Sequence, residues 1–171
     1  MIKFDLNEIS DHKKFEDLTV SYFEDLKFEK GHNIIDVEVK PTGVGTDGGR
    51  DILVTFKVSD SIVTFERRWV IQCKFHNSDI STDKISDINI PTLLSSYMAS
   101  GYLLVCKQKP TSKLTEHFEK LESNNGLKQK YIVWSGEQFK RLILVKSKKE
   151  ILQQYFPEYF NYCITNKLFD K

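Results

Sequence analysis

The run Trp69-Val70-Ile71-Gln72-Cys73-Lys74-Phe75-His76 is apolar enough for an inner strand, yet it carries polar side chains at alternate places. Successive side chains of a β-strand point to opposite faces. Val70, Gln72, Lys74 and His76 therefore share one face, and Ile71, Cys73 and Phe75 the other. An amide and an ammonium then stand where a buried strand carries aliphatics, and lysine is seldom buried without a partner. Upstream, Gly45-Thr46-Asp47-Gly48-Gly49-Arg50-Asp51 reads as a turn that delivers Asp51 to the head of a strand over 51–58. A carboxylate, a carbonyl-bearing amide and a lysine converging on a sheet edge predict a hard-metal site suited to phosphate chemistry.

A length of 171 residues suits one well-buried domain. We therefore expect a single domain over 1–171, with 147–171 a C-terminal helical extension that leads to further domains if the protein is longer. No apolar run approaches the roughly 20 residues that span a bilayer, so no membrane partner is expected. The N-terminal Met-Ile-Lys-Phe-Asp-Leu-Asn-Glu lacks the apolar core of a signal peptide, which predicts a cytoplasmic location. Cys73, Cys106 and Cys163 are odd in number and widely separated. They read as small buried hydrophobes in a reducing compartment, not as a disulfide framework or a zinc site. The net charge of +1 makes no case for nucleic acid by itself. Its distribution says more, because residues 1–106 carry 12 basic against 17 acidic side chains, and residues 107–171 carry 13 against 7. A basic half of this kind either tracks a phosphate backbone or is simply a solvated face.

Ser10 is placed to cap a helix starting at Asp11, with Phe15, Leu18, Tyr22 and Leu26 as its apolar stripe. Ile34, Ile35, Val37 and Val39 mark a first strand, stopped by Pro41. Strands over 51–58 and 62–75 follow, joined by Ser59-Asp60-Ser61, which is short enough for an antiparallel hairpin. Helices are expected over 81–88 and 91–100, then a strand over 102–106, a helix over 112–122, a strand over 131–134 and a helix capped by Ser135 that runs through Leu142. Residues 146–150 read as a turn and 151–157 as a short helix. Strand and helix in alternation imply a sheet whose last strands are covered on both faces.

Gly-Thr-Asp47-Gly-Gly-Arg-Asp51, then some twenty residues to Trp69-x-x-Gln72-Cys-Lys74, preceded by a helix with Phe15-Glu16-x-Leu18, resembles the Mrr-like branch of the PD-(D/E)xK restriction endonuclease superfamily, in its Gln-x-Lys variant. The resemblance covers about residues 15–106 in motifs and extends to about 134 by order of elements. It implies an α/β restriction-endonuclease-like fold, a mixed central sheet of about five strands flanked by helices. It also implies a magnesium-dependent endonuclease, with manganese able to substitute, acting on double-stranded DNA in a bacterial antiphage or restriction system. By the same resemblance Asp51 would coordinate the cation, Gln72 would add its side-chain oxygen, and the backbone carbonyl of Cys73 would lie close by. Glu16 would complete the shell, and Lys74 would orient the attacking water as base or as electrostatic clamp. Arg50, His76 and Asp47 are candidates for substrate contact. A concerted double-strand break needs two sites, so a homo-oligomer is expected. Target choice would rest with a regulatory ATPase or sensor partner or domain.

Each assignment has a structural alternative. Asp51 is either a metal ligand or a turn cap, and Lys74 either a catalytic group or one half of an ion pair with Asp51. Glu16 borders the apolar stripe, with Val20 and Phe23 at i+4 and i+7, and is either a ligand or a solvated flank. Asp47 either binds metal or fixes the glycine loop through an Asx-type bond. Arg67, Arg68 and Trp69 either touch DNA or, for Trp69, belong to the core. A different class of function is a catalytically inactive nuclease-fold module that binds nucleic acid or a protein partner, because Gln72 replaces a charged ligand. A doubly wound nucleotide-binding domain finds no Gly-x-Gly-x-x-Gly or Walker loop to support it.

Overall fold

The computed structural model describes residues 2–29, 33–42, 48–124, 126, 128–146 and 148–170. Helix α1 (His12–Asp25) starts one residue later than the sequence suggests, because Asp11 and not Ser10 is its cap. The Asp11 carboxylate accepts the Lys14 N–H at 2.8 Å, and Ser10 Oγ donates to the other carboxylate oxygen. An ionised acceptor is the better partner for the positive end of the helix.

Strands β1 (Ile34–Pro41), β2 (Ile52–Ser59) and β3 (Thr64–Lys74) form an antiparallel meander. Helix α2 (Ile90–Ser96) leads to β4 (Gly101–Cys106), and α3 (Ser112–Ser123) leads to β5 (Lys130–Trp134). Both of these strands add in parallel, so the mixed sheet has the order β1-β2-β3-β4-β5. Helices α4 (Gly136–Lys146), α5 (Lys149–Tyr155) and α6 (Pro157–Thr165) complete the chain. The expected α/β class is observed.

Alternation along β3 and β4 divides the core as their patterns require. Ile71, Cys73, Leu103 and Val105 face α1, α4 and α5 through Phe15, Leu18, Phe139, Ile143 and Leu152. Val70, Tyr102, Leu104 and Cys106 face the other way, against Leu94, Leu114 and Phe118 of α2 and α3. Every residue of β4 is buried, as befits a parallel strand covered on both faces. All three cysteines are free and buried, the state their spacing predicts.

Three details depart from the sequence reading. The expected helix over 81–88 is only a 3-10 turn, Thr82–Ile85, and the one expected over 91–100 stops at Ser96. Tyr97 has left helical geometry and Met98 takes a φ of 49°, which ends the helix before Gly101 begins β4. Residues 149–155 and 157–165 form two helices in place of a turn and one short helix, with Pro157 in the first turn of the second. Finally, β2 and β3 are inner strands, so Asp51 and Lys74 stand at strand ends and not on a sheet edge.

Gly136 opens α4 against the chain leaving β4, and a Cβ there would overlap the main-chain carbonyl of Lys107. Backbone cannot yield as a side-chain tip can. Gly136→Ala is expected to destabilise the protein by about 1–3 kcal/mol, read as a lower urea midpoint at unchanged m-value.

Candidate active site

The site lies where β2 begins and β3 ends, under the first turns of α1. The Asp51 N–H donates to the carbonyl of Ile71, and its side chain reaches along β3, where Oδ2 accepts the Cys73 N–H at 2.6 Å. Helix α1 is seated on the same residue. Cys73 Sγ donates to Thr19 Oγ1 at 3.5 Å, and Thr19 is itself tied back to the Phe15 carbonyl. Seven positions before Thr19, two helical turns away, His12 places Nε2 3.1 Å from the carbonyl oxygen of Cys73. Glu16 lies between them on the helix, its Oε1 3.1 Å from His12 Nδ1. Ligand atoms of His12, Glu16 and Asp51 all fall within 4.8 Å of one another.

Charge accumulates here in a partly dehydrated place. Burial, followed by the charge of Asp51, pushes the Glu16 carboxyl above its ordinary range, with His12 and Lys13 opposing. Burial raises Asp51 as well, against the Cys73 N–H, His12 and Lys74. Two carboxyls that both hold protons too tightly, facing each other, are what a cation would relieve. Burial, then Lys84, Lys74 and His12, holds the His76 imidazole below its ordinary value.

The other candidates are placed as follows. Lys74 ends β3, half-buried and within electrostatic reach of Asp51, and its ammonium forms no ion pair or hydrogen bond among the described residues. Gln72 is buried, and its Oε1 accepts the Tyr102 hydroxyl at 2.6 Å; a second lone pair is what it retains for a cation. The Arg50 guanidinium lies over the Tyr97 ring, 4.5 Å from its centroid. His76 follows Lys74 in a segment anchored by Lys107, whose Nζ donates to Asn77 Oδ1 at 2.9 Å and lies over the Phe75 ring. Asp47 lies outside the described residues. Trp69 packs half-buried against the core, and Arg68 pairs with Glu66 at 2.8 Å. Arg67 is five residues before Gln72, roughly 15–20 Å along the strand from the acidic cluster.

Sequence reasoning missed His12 and Tyr102. The signal for His12 was its i, i+4 relation to Glu16. Tyr102 had none, since it reads as one more apolar residue of an inner strand.

The family model described as "Restriction endonuclease" (Mrr_cat) matches residues 7–143. The chain therefore belongs to this restriction endonuclease family. Among solved structures, the MspJI restriction endonuclease in complex with a 27-mer oligonucleotide is similar at a TM-score of 0.50 and 12% identity, over 78% of this chain and 28% of that one. The DNA modification-dependent restriction endonuclease AspBHI is similar at a TM-score of 0.49 and 11% identity, over 97% and 43%. The chain thus spans less than half the length of either neighbour. No curated protein matches it in sequence.

Removing the hydroxyl of Tyr102 would leave the buried Gln72 oxygen without its donor. Tyr102→Phe is expected to cost about 1–3 kcal/mol of stability, seen in urea denaturation. Asp51 and Glu16 carry a pH signature of opposite sense to a salt-bridged carboxylate. Their folded pKa values lie above the unfolded ones, so the folded state binds more protons in that interval. Their contribution is fully present below the ordinary carboxylate range, about 4, and is lost as pH rises through the raised values. Without metal, Asp51→Asn should therefore melt higher than wild type at neutral pH. The difference should shrink as pH falls toward 4 in a scan of melting temperature.

Proposed function

We propose that this chain is a metal-dependent endonuclease that hydrolyses phosphodiester bonds of double-stranded DNA, the nuclease of a bacterial antiphage or restriction system. The observation that carries this reading is the convergence of Glu16 and Asp51 beside the Cys73 carbonyl, with Lys74 next in the chain, in a member of a restriction endonuclease family. The donor set fits a hard divalent ion such as Mg²⁺ or Mn²⁺. It offers two carboxylates and a carbonyl, and Oδ1 of Asp51 accepts no hydrogen bond among the described residues. Asp51 and Glu16 would hold the ion, with the Cys73 carbonyl and the remaining lone pair of Gln72 as further oxygens. Bound there, the ion supplies a water of lowered pKa and neutralises charge on the phosphate.

Lys74 is suited to orient that water and to face the phosphate, and its ammonium is not committed to an ion pair. His76 and Arg50 are the candidates for contact with the strand being cut. Target choice would then rest on further domains or on an ATPase or sensor partner, consistent with a module that spans a fraction of its neighbours' length. A homo-oligomer would supply the second site that a double-strand break requires. Among the described residues no helix is long and apolar enough to cross a membrane. Three buried free thiols suit a cytoplasmic setting.

Supercoiled plasmid incubated with Mg²⁺ or Mn²⁺ should be nicked by wild type and not when the metal is chelated. Asp51→Asn and Lys74→Ala should each lower the rate by about 10²-fold or more at retained circular dichroism. Undiminished cutting by both variants would refute the assignment. Metal binding without any cutting by wild type would favour the inactive nucleic-acid-binding module.

A further inference from the structure

We propose that Lys107 is a positioning residue for the reaction: its buried ammonium, held between Asn77 Oδ1 and the Phe75 ring, fixes the chain leaving β3 and so the place of Lys74 and His76. The proposal rests on the nuclease reading above. It names a residue that acts through others without touching the strand being cut.

Lys74 has no side-chain partner among the described residues, so its main chain sets its place. On the upstream side the Cys73 N–H is bonded to Asp51 Oδ2 at 2.6 Å. Regular pairing of β3 with β4 ends at Lys74 and Cys106, and one more bond, from the Lys107 N–H to the Lys74 carbonyl at 3.0 Å, closes the ladder. The next main-chain tie comes at Ile80, whose N–H donates to the Lys109 carbonyl at 2.8 Å. Among the described residues no main-chain bond holds 75–79. The Lys107 side chain spans that gap. Its Nζ donates to Asn77 Oδ1 at 2.9 Å and lies 4.3 Å from the centroid of the Phe75 ring, which packs in turn against Phe15 of α1.

The choice of partner separates this role from ordinary packing. Lys107 is only 8% exposed, and a buried ammonium is costly unless it is paired. Two carboxylates, Asp5 and Glu137, line a cavity of about 180 Å³ together with Lys107. Neither is its partner: Glu137 pairs with Lys140 at 2.5 Å, and Asp5 accepts the Asn7 N–H at 2.9 Å. Among the described residues Lys107 forms no ion pair at all. A methionine would cover the Phe75 ring without burying a charge, so packing alone does not call for a lysine. What the ammonium adds is a cation over the ring face and a directed bond to Asn77, an exposed residue of the segment that carries His76.

Amide relaxation by NMR and plasmid nicking with Mg²⁺ test this on the full chain, using Lys107→Met and Asn77→Ala. In metal-free wild type the His76 and Asn77 amides should show order parameters of about 0.85, those of rigid backbone, and in either variant values below about 0.6. Each variant should lower kcat by about 10- to 100-fold at unchanged KM. Each should still bind Mn²⁺ like wild type in calorimetry and keep its melting temperature. The double variant should be no slower than the slower single one, because the two side chains act as a unit. Asn77 is exposed, so Asn77→Ala tests the bond even where Lys107→Met disturbs the fold. Unaltered order parameters or an unaltered kcat in Asn77→Ala would overturn the positioning role. A raised KM in place of a lowered kcat would overturn it as well, by making Lys107 a contact to DNA. A wild type that binds Mn²⁺ and cuts nothing would overturn the nuclease reading instead, and the order parameters would still decide whether Lys107 holds the segment.

Discussion

A half-buried carboxylate at the end of a sheet is tolerable here because a main-chain N–H meets it. The bond from Cys73 N–H to Asp51 Oδ2 ties the head of β2 to the tail of β3 at the point where their regular pairing runs out at Ile52 and Ile71. Charge-assisted bonds of this kind are short and roughly twice as strong as neutral ones. Around the same residue the rest is assembled: the Cys73 thiol seats Thr19 of α1, and its carbonyl receives His12. One residue, Cys73, thereby ties together a strand end, a helix and the acidic cluster. The thiol is the passive member, since full burial, followed by Asp51, pushes it far above its ordinary range and leaves it inert.

The cluster remains unfavourable without a counter-charge. Burial and mutual proximity raise both carboxyls, and only the neighbouring His12 and Lys13 for Glu16, and His12 and Lys74 for Asp51, act in the other direction. Stability given up in this way is common where chemistry is done. By contrast the buried Gln72 oxygen has a donor, the Tyr102 hydroxyl, at 2.6 Å.

Much of this was legible in the residues. The alternation from Trp69 to His76 placed Cys73 and Lys74 on opposite faces, and the stripe Phe15, Leu18 and Tyr22 placed α1 against the sheet. The antiparallel pairing of β2 with β3 followed from the short hairpin. What escaped were interactions between elements that the linear pattern does not pair. His12 is 61 residues from Cys73, and Tyr102 is 30 from Gln72. Each has an ordinary local reading, a solvated helix start and an apolar strand residue, and only the tertiary seating of α1 on β3 and of β4 beside β3 reveals a second role. Helix ends in the 81–100 region failed for a local reason: Pro91 and Asn89 mark a start, but the stop depends on Met98 adopting a positive φ that no glycine advertises.

The arrangement of charge around the cluster is directional. Glu16 and Asp51 form its acidic floor, while Lys84 and Lys74 each lie close enough to His76 to add to the burial that depresses its imidazole. On the reading proposed above, a phosphate would be met by a cation held between the carboxylates and by the Lys74 ammonium, and preorganised charges need not be rearranged as reaction proceeds. Lys107 supports this wall without belonging to it. Buried and held by Asn77 and the Phe75 ring, it braces the segment that carries His76. The segment after β3 is thereby tied through Lys107 to the chain leaving β4.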